Sequence, residues 1–175
     1  MPTFVAAHRY TGCYVRGKMS NLPFTILCAG DMTSLTPAVL AVAVQQAHQF
    51  KTPLTILLAY RLLEVDGNSS IAGLRQSIET KATNKYTSLT AEIMKDRAIP
   101  YEFVTEIGFV SDRITKFVRH HRVGMLVVGD STIKSLDDVG GTGFQEFVQR
   151  TALPVMVVPE RMQLNNFLNE LSLSV

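Results

Sequence analysis

The chain has 175 residues, 46% of them hydrophobic and 18% charged, which suits one domain with a buried core rather than a disordered tail. Seventeen basic and fifteen acidic residues leave a formal charge of +2, which gives no warrant for nucleic-acid or polyanion binding, and no run approaches the ~18 apolar residues of a membrane span. The two cysteines, Cys13 and Cys28, form no CxxC pair, which argues against a disulfide scaffold and a thiolate zinc site.

The first 18 residues stand apart. They hold Arg9, Arg16 and Lys18 and no acid, and so carry the chain's positive excess. They show neither strand alternation nor a helical stripe, and no apolar stretch of signal-peptide length. The basic, acid-free start resembles an organelle transit peptide, although serine is missing from it. The other readings are a disordered arm over 1–20 and a true start at Met19.

Phe24 to Gly30 is a short apolar run closed by Asp31, as in a strand buried on both faces. Thr36-Pro37 reads as N-cap plus N1 proline, and Leu40, Val44 and Ala47 repeat at helical spacing. Pro53 breaks that helix, and Leu54 to Tyr60 makes a second strand. Residues 61–70 form a polar loop. A long helix follows, with Ile71, Leu74, Ile78, Ala82, Leu89 and Ile93 on one stripe. Tyr101 to Ile107 is a third strand, and Ser111 or Asp112 caps a helix carrying Ile114, Phe117, Val118 and His121. Gly124 to Gly129 is a fourth strand. A glycine-bearing polar loop spans 130–143, a short helix carries Phe144, Phe147 and Val148, and Val155 to Val158 is a fifth strand. The tail 161–175 places Leu164, Phe167, Leu168 and Leu171 on one helical face.

Strands alternating with helices predict an α/β single-domain, three-layer sandwich over 21–160: a five-stranded parallel sheet with helices on both faces. Such sheets bind ligands at the carboxyl ends of the strands, beside the switch in strand order. Here those ends carry Gly30-Asp31, Tyr60, Gly108 and Gly129-Asp130. The loop after the fourth strand is the most informative. Gly140, Gly141 and Gly143 let backbone N–H groups approach a phosphate at a helix start, and Thr142 adds a hydroxyl. A plain helix entry capped by Thr142 is the alternative. No G-x-x-x-x-G-K-[ST] occurs, and no G-x-G-x-x-G follows the first strand, which excludes Walker-type and dinucleotide Rossmann motifs.

From Phe24 to Pro159 the chain resembles the universal stress protein family. The matching blocks are Ile26 to Asp31, Gly108-x-x-Ser111-Asp112-x-Ile114, Gly124 to Gly129, and Gly141-Thr142 followed by Leu153 to Pro159. The nucleotide-binding branch of that family carries a G-x2-G-x9-G-[ST] loop whose glycines wrap the phosphates. The resemblance therefore implies a nucleotide site at Gly129, Thr132, Gly141, Thr142 and Gly143. Asp31 lies on its adenosine side, and Tyr60 stands where the family lines the adenine pocket with a small apolar residue. This chain departs from the pattern. Thr132 replaces the middle glycine, the loop is one residue shorter, and Asp130, Asp137 and Asp138 face a single Lys134. Like charges beside phosphates cost on the order of 1 kcal/mol per close pair unless Mg²⁺ bridges them.

The expectation is a non-catalytic, cytoplasmic stress-response or regulatory protein with a degenerate adenine-nucleotide site. It acts as a homodimer through Val155–Val158 and the tail. One alternative is a module that senses ATP or AMP with Mg²⁺; another is a weak ATP hydrolase. No nucleophile with its base is assembled by the sequence. His120-His121 ends a helix and lacks the partners of a metal site, and Cys28 reads as a buried apolar group.

Overall fold

The structure is a computed structural model and describes residues 14–16, 24–62, 71–94, 97–138 and 143–159. One six-stranded sheet runs in the order β1-β4-β3-β2-β5-β6, with β1 at Tyr14–Arg16, β2 at Thr25–Gly30, β3 at Leu54–Tyr60, β4 at Tyr101–Ile107, β5 at Val123–Gly129 and β6 at Val155–Val158. The last five are the parallel strands expected from the sequence. Every residue of β2 and β3 is buried, which is why both read as unbroken apolar runs.

Helices cover both faces, as expected. Helix α1 (Pro37–Gln49) and helix α2 (Ile71–Ile93) pack on one, where Ile26, Cys28, Ile56, Leu58, Phe103 and Tyr86 share a core. Helix α3 (Val110–His120) and helix α5 (Phe144–Thr151) pack on the other, around Leu27, Ala29, Leu57, Val104, Leu126 and Val128. Alternation along each strand sends successive side chains into the two cores. Thr36 caps α1 as expected, its hydroxyl accepting from Val39 N at 3.3 Å.

Four local expectations are corrected. Tyr14–Arg16 lies in the supposed arm, yet it pairs antiparallel with β4, Val15 opposite Glu102. Three residues are too few to show alternation; the open edge of β4 supplies the partner. Residues 130–138, expected within a loop, form helix α4 (Asp130–Asp138). Asp130 suits the positive N-terminal end, its carboxylate lies 3.4 Å from Lys134 one turn on, and Ile133 packs into the second core. Helix α3 begins after Phe109 with no side-chain cap, rather than at a Ser111 or Asp112 cap. Of the α2 stripe only Ala82 is fully buried: Leu74, Ile78, Leu89 and Ile93 are half-buried and Ile71 is 74% exposed, while Tyr86, outside the stripe, is buried. The C-terminal tail, 161–175, and the remainder of the arm lie outside the described residues.

The start of β5 packs closely on Phe24. A β-carbon on Gly124 would stand 2.2 Å from Phe24 Cδ2, well inside van der Waals contact. Gly124→Ala is expected to lower stability by about 1–3 kcal/mol in urea unfolding, and most of that loss should vanish in a Phe24→Ala background.

Candidate functional site

Strand order reverses between β2 and β5, which pair in parallel up to Cys28 opposite Val127. Their connections leave to opposite faces, α1 from β2 and α4 from β5, so the chains part just past Gly30 and Gly129. Three of the residues expected in a ligand site gather at this end of the sheet: Asp31 after β2, Tyr60 at the end of β3 and Gly129 at the end of β5.

The turn after β2 is built by Asp31. Its Oδ1 accepts from Thr33 N at 2.8 Å, Thr33 Oγ1 at 2.7 Å and Ser34 N at 2.8 Å, while Asp31 N donates to Ser34 Oγ at 2.8 Å. An Asp followed by Thr and Ser is the local signature of such a turn. Burial pushes the Asp31 carboxyl up, but the donors from Thr33 and Ser34 together outweigh it and hold the group below its ordinary 3.8. The turn is pressed against both strand ends. A β-carbon on Gly30 would stand 2.8 Å from Ser34 Oγ, and one on Gly129 would stand 2.8 Å from Ser34 O. Ser34 is therefore the wedge of the site, and nothing in the strand pattern singled it out. Behind the turn, Tyr86 OH donates to Met32 O at 3.4 Å. Burial, then the charges of Asp31 and Cys28, push the Tyr86 hydroxyl up to about 12.

Tyr60 is committed to the protein. Its OH donates to Glu79 Oε1 on α2 at 2.7 Å, and Arg75 Nε donates to the same oxygen at 2.9 Å. Burial first and Glu79 second raise the phenol above its usual range. The ring is thus anchored toward α2. Sequence reasoning missed Glu79 and Arg75, because their spacing from Tyr60 is set only by the packing of α2 on the sheet.

The phosphate side differs from what the sequence suggested. Thr132 lies within α4 and is 1% exposed, so its side chain is packed away from the surface. Gly143 is the residue before α5, with extended backbone, and Gly141 and Thr142 lie outside the described residues. Asp130 occupies the start of α4, with Oδ2 toward Lys134 and Oδ1 buried with no hydrogen-bond partner among the described residues. Cys28 is fully buried, and burial raises its thiol well above the usual range. Among the described residues no group of three His, Cys, Asp or Glu side chains is placed to hold a metal ion. None of the described helices is long and apolar enough to cross a membrane.

No protein-family model matches the chain, and no curated protein sequence does. Solved structures do, many of them universal stress proteins. One, in complex with cAMP, is 19% identical over 78% of this chain and 97% of its own, with a TM-score of 0.53. A member of the family from Burkholderia pseudomallei is 14% identical over 82% of this chain and 99% of its own, at 0.56. The universal stress protein from Lactobacillus plantarum is 16% identical over 78% and 98%, also at 0.56. At these identities the likeness establishes the fold: a universal stress protein-like α/β sandwich.

Because Asp31 is held below its ordinary value, its charge stabilises the folded chain at neutral pH. That contribution is complete above about pH 3.8 and is lost as pH falls through the lower folded value. Asp31→Ala should cost about 1–2 kcal/mol at pH 7. The gap between wild type and variant should narrow on acidification below pH 3.8, measured by thermal unfolding across pH.

Proposed function

We propose that this chain, with the fold of the universal stress proteins, is a non-catalytic regulatory protein. It holds an adenine nucleotide between the carboxyl ends of β2 and β5 and works as a homodimer. The observation that carries the reading is the close-packed switch point. There Gly30 and Gly129 admit the Asp31–Ser34 turn, and none of the turn's bonds to the carboxylate uses Asp31 Oδ2, which leaves that oxygen for a ribose or base donor. The cAMP complex of a structure with the same fold supports an adenine nucleotide as the ligand class.

Helix α4 favours a ligand with one phosphate over a triphosphate. Its first turn presents the Asp130 carboxylate where a phosphate chain would run, and Lys134 is already drawn to it. ATP with Mg²⁺ is the second reading, in which the cation bridges Asp130 to the phosphates. No catalytic step belongs to the proposal: the Cys28 thiol is buried, the Tyr60 hydroxyl is spent on Glu79, and Asp31 is held by its turn. A cytoplasmic setting rests on the family resemblance alone.

The dimer is supported by the free side of β6. Among the described residues only β5 pairs with this strand, and Val157 is 37% exposed. An apolar edge is a hazard for a lone protomer, and two-fold pairing of β6 with its copy removes it.

The nucleotide reading is tested by thermal shift with AMP, cAMP and ATP, each with and without Mg²⁺. AMP or cAMP at 100 times its Kd should add ~2.7 kcal/mol without needing Mg²⁺, and Asp31→Ala should lose most of the effect. No shift with any of the three at millimolar concentration sinks the proposal. For the dimer, sedimentation should show Val157→Lys shifting the protein toward monomer, since an edge lysine opposes strand pairing.

A further inference from the structure

The opposite end of the sheet holds a cavity of about 220 Å³, lined by Ala47, His48, Lys51 and Thr52 on one side and by residues 98–100 on the other. Strands β3 and β4 pair in parallel from Leu54 opposite Tyr101, and Leu54 N donates to Pro100 O at 2.9 Å. The cavity therefore sits where both strands begin, between the end of α1 and the chain entering β4. Part of its wall is core: Ala47 is fully buried, and Ile99 packs against the same cluster. One water takes about 30 Å³, so the space suits a small ring or a short chain and is too small for a nucleotide.

Helix α1 ends at this cavity in a Schellman turn. Phe50 N donates to Gln46 O at 3.0 Å, Lys51 N to His48 O at 3.1 Å and Thr52 N to Ala47 O at 3.0 Å. Such a turn needs one residue in the left-handed conformation, and glycine is the usual choice because a β-carbon is unfavourable there. Here that residue is Lys51, at φ 51°. The same bonds set the electrostatics. Carbonyls at a helix C-terminus repel an anion, but those of Gln46, Ala47 and His48 each accept one of these N–H groups. Thr52 gives its hydroxyl to Phe24 O. The side chains left to meet a polar ligand are His48 and Lys51. Both are exposed, and neither has a carboxylate partner among the described residues.

We propose that this cavity is a second binding site, for a small organic monoanion: an apolar ring or short chain that carries one carboxylate. The apolar body fills the space against Ala47 and Ile99, and the carboxylate meets the Lys51 ammonium with His48 beside it. A glycine at 51 would relax the turn but remove the charge, and the lysine is kept for the ligand. The site lies at the other end of the strands from the Asp31 turn, so it stands or falls independently of the nucleotide reading.

Benzoate, benzyl alcohol and benzylammonium test it, since they offer nearly the same body with negative, zero and positive charge. In titrations followed by amide NMR, benzoate should move the signals of Ala47, Lys51, Thr52 and Ile99. It should bind about fivefold tighter than benzyl alcohol, with benzylammonium weakest. Lys51→Gly should erase the preference for benzoate, leave benzyl alcohol binding unchanged and raise the Tm by about 2–4 °C. Lys51→Gln should erase the same preference without the full gain in Tm, which separates lost charge from relaxed backbone. Ala98→Phe, at an exposed position on the wall, should weaken all three probes. Equal affinity of the wild type for benzoate and benzyl alcohol, or a preference that survives both Lys51 variants, overturns the anion site. Signals that move only elsewhere, or not at all at millimolar probe, overturn the cavity as a binding site.

Discussion

Strand β2 is hydrogen-bonded on both sides, to β3 and to β5, and every one of its six residues is buried. With no face exposed to water, its backbone can be satisfied only by those two ladders, and its side chains only by the two cores. The position of every helix follows from this. Ile26 and Cys28 need the cover of α1 and α2, and Leu27 and Ala29 need that of α3 and α5. Connections run outward from β2 in both directions, so the strand order must reverse beside it, and the crevice at its carboxyl end comes from that reversal.

What fills the crevice is local chemistry on a rigid frame. Asp31 folds its own turn, Ser34 wedges that turn against Gly30 and Gly129, and Tyr60 is tied sideways to α2 through Glu79. Each contact removes a polar group from those available to a ligand. Among the described residues at this end, Asp31 Oδ2 takes no part in the turn, Asp130 Oδ2 is drawn to Lys134, and the guanidinium of Arg61 rests over Phe109.

Much of the frame was legible along the chain. Short apolar runs marked four of the parallel strands and alternation marked Tyr101–Ile107, and Thr36-Pro37 marked the start of α1 correctly, because a cap is a contact between residues three apart. The short strand Tyr14–Arg16 was not legible, since only the vacant edge of β4 makes it a strand. Nor was α4. Glycines downstream and three aspartates suggested a loop, while burial of Thr132 and packing of Ile133 favour a helix. Asp31, Tyr60 and Gly129 were found as strand-end residues. Glu79, Arg61 and Phe109 were not, because the distances that bring them together cross between separate elements.

By itself, then, the sequence determined the layered α/β class and the parallel strands, and so which residues stand at the carboxyl end of the sheet. It did so because periodicity and punctuation are local, and the chirality of strand–helix–strand crossovers leaves few ways to assemble them. Tertiary structure alone decided how the polar groups at that end are spent. Whether Tyr60 faces a ligand or Glu79, whether Asp130 opens a loop or a helix, and whether Arg61 meets a carboxylate or an aromatic ring depend on residues distant in the chain. Those partners meet only once both cores have closed around β2.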